Sequence, residues 1–239
     1  MTATRRIVVA LSGASGAIYG IRSLKALRAD PSVEIHAIVS KGARATIEYE
    51  TEWKVSEVLA LAHVQYEEND LAAAIASGSF LTAGMLVAPC SIRTMSAIAH
   101  SLSDNLIVRA ADVHLKERRP LVLMVRETPL HAGHLKSMHE LALYGATILP
   151  PVPGFYILPK TIDDLVDTAW VRRSTSSASS TTSSRAGVAR RRRDRRSVRR
   201  SRPTARHRNG LARDRRRPAL LEASYREDRN RPVECARPC

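Results

Sequence analysis

The chain has 239 residues, 44% of them hydrophobic, which suffices for one domain of ordinary size with a sizeable core. Its formal net charge of +15 is confined to one end: residues 1–172 balance 6 Lys and 11 Arg against 17 acids, whereas the last 67 residues hold 21 Arg, 6 acids and no Lys. The basic balance therefore says nothing about the first 172 residues, three cysteines (Cys90, Cys235, Cys239) make no disulfide framework, and no apolar run approaches the roughly 20 residues that span a bilayer.

In chain order, TATRRIVVALSGA pairs two arginines with a short apolar run that ends in small residues, the outline of a signal peptide. The apolar part is only as long as a buried strand and passes directly into a glycine loop and a helical pattern. It is read as the first strand, 6–11, of a cytoplasmic protein. Further strands are predicted at 33–39, 84–89, 120–125 and 145–150, with helices near 16–29, 41–50, 55–63, 91–101, 105–117 and 132–144. Short apolar strands alternating with helices mean βαβ units, hence an α/β domain whose mostly parallel sheet is covered on both faces. In such a sheet ligands bind beyond the carboxyl ends of the strands. The unusual residues gather there: SGASG, VSKGAR, PCSIRT, VRETPLH and PPVPGFY each follow an apolar run.

Gly13 and Gly16 let the backbone approach a ligand, and the first N–H groups of the helix near Gly16 make a candidate anion site. The spacing Gly13, Gly16, Gly20 is not G-x-G-x-x-G, and the second strand ends in Val39-Ser40-Lys41 without the acid that reads a dinucleotide ribose, so NAD is disfavoured. Tight packing alone also accounts for such glycines. Ser91, Arg93 and Thr94 at a helix mouth either cap it or hold an anion. Arg109, Lys116, Arg118 and Arg119, mixed with Asp112 and Glu117, read first as a solvated face with local ion pairs. Arg126 and Glu127 form either a structural pair or an anion holder beside a proton-transfer group. His131, His134 and His139 lack a strong third ligand for a metal, and Cys90 reads as a packed small residue.

The blocks LSGASGAIYGIR, VSKGAR, ETE, PCSIRTMSAIAHS, DNLIVRAADVHLKERRPLVLMVRETPLHAGHL and ILPPVPGFYILPKTIDDLVD, in this order from residue 5 to 172, resemble the UbiX family of flavin prenyltransferases. The resemblance implies a three-layer Rossmann-like or flavodoxin-like domain. It implies transfer of the dimethylallyl group of dimethylallyl monophosphate to N5 and C6 of reduced FMN, without a metal. The product would pass to a UbiD-type decarboxylase, as in ubiquinone synthesis, from a dodecamer with active sites at subunit interfaces. Carried over by position, FMN contacts fall on Gly13, Ala14, Ser15, Ser40, Ser91, Ile92, Arg93, Thr94 and Arg126. Ligands for the prenyl phosphate fall on Arg109, Lys116, Tyr156 and Arg172, and the groups at the reacting centre on Ser15, Glu50 and Glu127.

From residue 173 the chain departs from that family, which continues with an apolar helix. The segment 173–239 has no Lys, Ile, Phe, Met, Trp or Gln and is expected to be a disordered Arg/Ser-rich tail, because it cannot bury enough surface to offset its ordering entropy. Out-of-frame translation of a GC-rich gene explains it better than an evolved arm binding nucleic acid non-specifically or an anionic membrane, since the break falls inside a predicted helix. Two other functions stand beside the prenyltransferase. One is an FMN-dependent cysteine decarboxylase, for which a histidine is expected where this chain reads GAIYGIR; the other is a nucleic-acid-binding protein acting through the tail.

Overall fold

The structure, a computed structural model, describes residues 4–167. Arg172, the 173–239 tail and the boundary between them lie outside the described residues. All five predicted strands are present: β1 (Arg5–Leu11), β2 (Val33–Val39), β4 (Gly84–Cys90), β5 (Leu121–Val125) and β6 (Thr147–Ile148). A further one, β3 (Val64–Tyr66), was not anticipated; it has three residues and none is fully buried, so it carries no apolar run. The six predicted helices are α1 (Ala17–Arg28), α2 (Lys41–Glu50), α3 (Val55–Ala60), α4 (Ile92–Ala99), α5 (Leu106–Lys116) and α6 (Ala132–Leu143).

The strands form one sheet in the order β3-β2-β1-β4-β5-β6, with every neighbouring pair parallel. Parallel strands need crossover connections, and their helices cover both faces. The apolar run of β1 shows the consequence. Val8 and Ala10 enter one core with Met95, Ile98, Leu106 and Leu141 from α4 to α6. Val9 and Leu11 enter the other with Ile21, Leu24, Ile47 and Val58 from α1 to α3. Three layers result, as expected. The chain leaves β1 toward β2 on one side and reaches β4 on the other, so the switch point, where doubly wound sheets bind ligands, lies between the carboxyl ends of β1 and β4.

After β6 the chain crosses a 3-10 turn (Phe155–Ile157) and re-enters a helix at 162–167. Thr161 and Asp164 start that helix reciprocally: Asp164 N–H donates to Thr161 Oγ1, and the Asp164 carboxylate accepts from the N–H groups of Lys160 and Thr161. Arg22 of α1 pairs with Asp163 at 2.6 Å, anchoring this segment to the first helix.

Candidate functional site

The opening glycines are required by close packing at two positions and by backbone conformation at the third. A Cβ on Gly13 would lie 2.9 Å from Gly42 Cα, one on Gly20 would strike the Ala88 carbonyl oxygen, and Gly16 takes φ +100° as the N-cap of α1. The first N–H groups of α1 are not free for an anion, contrary to the expectation. Gly16 and Ala17 donate to Glu50 Oε2 at 2.7 and 3.2 Å, because the last residue of α2 reaches back to the start of α1. A similar arrangement holds at α2, where Ser40 caps Ala43 N–H and Lys41 N–H donates to Glu68 Oε2 at 2.7 Å. Carboxylates thus take the positive ends of both helices.

The start of α4 differs. Ser91 Oγ accepts from Thr94 N–H and donates to Thr94 Oγ1, while the N–H groups of Ile92 and Arg93 have no acceptor among the described residues. Arg93 is exposed and only 3.8 Å from Asp104, its one ion-pair partner among the described residues. Arg126 follows β5 on the same edge; its N–H bonds the Cys90 carbonyl and its exposed guanidinium has no ion pair among the described residues. The Arg126–Glu127 structural pair is therefore absent. Glu127 is exposed and accepts from Thr128 N–H at 3.0 Å. Ser15 is exposed on the loop before α1, and Ala14 N–H is held by the Ser12 carbonyl.

Arg109 and Lys116 do not join this group within one chain. Helix α5 starts at the carboxyl edge, where Leu106 N–H bonds the Glu68 carbonyl, and ends near the amino edge beside the loop that leads into β4. Lys116 pairs with Glu117 at 2.6 Å over Gly78. Arg109 donates Nε–H to the Ala76 carbonyl and pairs with Asp112 at 3.2 Å. The local ion pairs expected of a charged helix face are thus present, and Arg119 also donates to the Gly78 and Phe80 carbonyls. Tyr156 lies exposed in the 3-10 turn after β6.

Burial pushes the Cys90 thiol far above its ordinary pKa, as suits a packed residue. His131 and His134 lie with ring centroids 3.6 Å apart and their planes tilted by 34°, and His131 caps α6 through Gly133 N–H. Among the described residues no three metal-ligating side chains come together.

Sequence reasoning missed Ser12 and Glu68. Ser12 is buried at the end of β1 and bonds both Pro89 and Ser91. Alternation along the strand could have separated it from exposed Ser15, but nothing local names its distant partners.

An α4 N-terminus with two spare N–H groups, two hydroxyls and a nearby unpaired arginine matches one phosphate monoester. The Flavoprotein family profile matches residues 1–172. The chain is 57% identical over 163 residues to the flavin prenyltransferase UbiX of Salmonella typhimurium, which covers 68% of this chain and 86% of the relative. It is similar to AnUbiX (PadA1), solved with FMN and dimethylallyl pyrophosphate, at 52% identity and a TM-score of 0.70 over 71% of this chain and 90% of that one. It is also similar to a dodecameric FMN-dependent UbiX-like decarboxylase from Escherichia coli O157:H7, at 46% identity and a TM-score of 0.69 over 70% and 91% of the two chains. The FMN-dependent cysteine decarboxylase SpaF, 15% identical with a TM-score of 0.52 over 71% of this chain and 99% of that one, shares the fold alone.

Proposed function

The chain belongs to the UbiX family of flavin prenyltransferases, and from that membership we infer that it is a transferase that joins a dimethylallyl group to FMN. One observation in the structure supports this most directly: of the helices that follow β1, β2 and β4, α1 and α2 have a carboxylate on their first N–H groups, and α4 has none among the described residues. That donor set fits the FMN phosphate. Ser91, Ile92, Arg93, Thr94 and Arg126 would hold it, with Gly13, Ala14, Ser15 and Ser40 lining the flavin side.

When bound, the reduced flavin supplies the nucleophile, through N5 and then C6. The chain's own groups stabilise what leaves. Breaking an allylic carbon–oxygen bond sends a negative charge to phosphate, so Arg109, Lys116 and Arg172, aided by the Tyr156 hydroxyl, are assigned to that charge. Glu127, next to Arg126, is assigned the proton released from the ring as the new bond forms, with Ser15 and Glu50 beside the same centre. No step requires a metal. Since Lys116 stands near the amino edge and Gly13 at the carboxyl edge of one chain, a complete site takes Lys116 from a second copy. That requirement agrees with an oligomer of the kind reported for the UbiX-like decarboxylase.

The substrate is dimethylallyl monophosphate, the assembly a dodecamer, the product acceptor a UbiD-type decarboxylase and the compartment the cytoplasm. Among the described residues no helix is long and apolar enough to cross a membrane. Residues 1–172 form the catalytic domain and 173–239 a separate basic tail read out of frame. The division of charge supports that boundary, and a one-base correction near codon 173 restoring an apolar helix is its test.

The reaction is tested by mixing the protein with reduced FMN and dimethylallyl monophosphate without oxygen and following absorbance and phosphate release in one turnover. A new chromophore with one equivalent of phosphate is expected. Release of carbon dioxide from a cysteine-terminated peptide, with no phosphate release, would replace this reading with the cysteine decarboxylase.

A further inference from the structure

The two halves of the sheet are stitched together at Ser12. The ladder between β1 and β4 ends at the pair of Ala10 with Val87; beyond it β1 runs into the loop before α1, and β4 runs through Pro89 toward α4. Ser12 spans the opening. It is 1% exposed, its N–H and hydroxyl both donate to the Pro89 carbonyl at 3.1 and 3.0 Å, and its Oγ accepts Ser91 N–H at 2.8 Å. Ser91 then caps α4 through Thr94. A continuous run of hydrogen bonds, Pro89 to Ser12 to Ser91 to Thr94, thereby fixes the direction of the first turn of α4.

We propose that Ser12 is a positioning residue for the flavin phosphate: its buried hydroxyl sets the α4 N-terminus in the pose that grips the monoester. The proposal rests on the reading that α4 takes that phosphate. A hydroxyl is needed because it donates and accepts at once. With alanine there, the Ser91 N–H and one bond to Pro89 are left unmet in a buried place, and the chain must shift or admit water to satisfy them. Either response displaces the N–H groups of Ile92 and Arg93, which are useful only while they converge on one point. Ser12 is buried behind the strand ends and offers no atom to the isoalloxazine, so a ligand without phosphate should be indifferent to it.

FMN and riboflavin share the ring and differ in the phosphate, so their binding to the full chain, read by quenching of flavin fluorescence, isolates this effect. For Ser12→Ala, FMN affinity should fall about tenfold, the size of one hydrogen bond lost, while riboflavin affinity stays within about twofold. Ser12→Cys keeps the shape with a weaker donor and acceptor and should fall between. It carries the test if the alanine variant does not fold. Equal losses for both flavins would make Ser12 a plain structural stitch, and unchanged FMN binding would overturn the proposal. A wild-type chain that binds flavin with no preference for FMN over riboflavin would instead remove the phosphate reading beneath it.

Discussion

The carboxylate of Glu127 is exposed and bonded to the N–H of Thr128, so it is free to face a ligand without disturbing the fold. Glu127→Gln should leave FMN binding nearly unchanged and slow single-turnover product formation about 10²-fold or more, the usual cost of a lost general base. Full activity in that variant would leave Glu127 without a proton to move. His114 makes a different kind of prediction. It is buried, with Nδ1 at 2.7 Å from the Ala110 carbonyl and Nε2 at 2.9 Å from Thr82 Oγ1. Nδ1 therefore carries a hydrogen, and in the neutral ring that burial favours Nε2 accepts from the threonine. Burial lowers its pKa below the ordinary 6.5. The unfolded chain thus takes the proton more readily, and the stability that His114 contributes is present above about pH 6.5 and is lost as pH falls through the folded value. Urea midpoints measured between pH 7 and 5 should drop less steeply in His114→Gln than in the parent; an unchanged slope would show that His114 does not carry this dependence.

At the scale of elements, α1 lies so close to the sheet at Gly20 that a Cβ there would collide with the Ala88 carbonyl oxygen and the Leu11 side chain. Gly20→Ala should cost about 2 kcal/mol or more in urea unfolding, despite the better helix propensity of alanine, because backbone has to move. A neutral or stabilising result would mean that α1 rides away from β4 freely. The same elements show what could be read from sequence. Strands such as VVAL and LVLMV are apolar on both faces, so their existence and parallel pairing were legible from local composition. β3 was not, since three half-exposed residues owe their strand conformation to pairing with β2. The occupants of the helix ends were not legible either. Glu50 lies 34 residues from Gly16, and Ser12 lies 79 residues from Ser91. Side-chain partners at such separations are set by the topology, whereas the strand ends that gather the candidate residues follow from the order of elements alone.

Across the whole molecule, Lys116 and the 13–16 loop stand toward opposite edges of the sheet, and this gives the assembly an observable. If the proposed roles of Glu127 and Lys116 hold, Glu127→Gln and Lys116→Ala fall in different halves of a shared site, and co-assembling the two variants should recover part of the activity that either lacks alone. No recovery would mean that both halves come from one chain. The charge division has its own test: ending the chain near residue 175 should abolish retention on an anionic resin while leaving the thermal midpoint of the domain in place, because residues 1–172 are neutral overall. Loss of the domain on truncation would refute the proposed boundary. The carboxylates of Glu50 and Glu68 carry a consequence of another order. By sitting on the first turns of α1 and α2 they leave α4 as the one of these three helix starts open to the phosphate of a flavin. Sulfate or inorganic phosphate should then compete with FMN at a single equivalent with a linear competition plot, and Glu50→Gln, which removes one resident charge, should bend that plot by admitting a second anion.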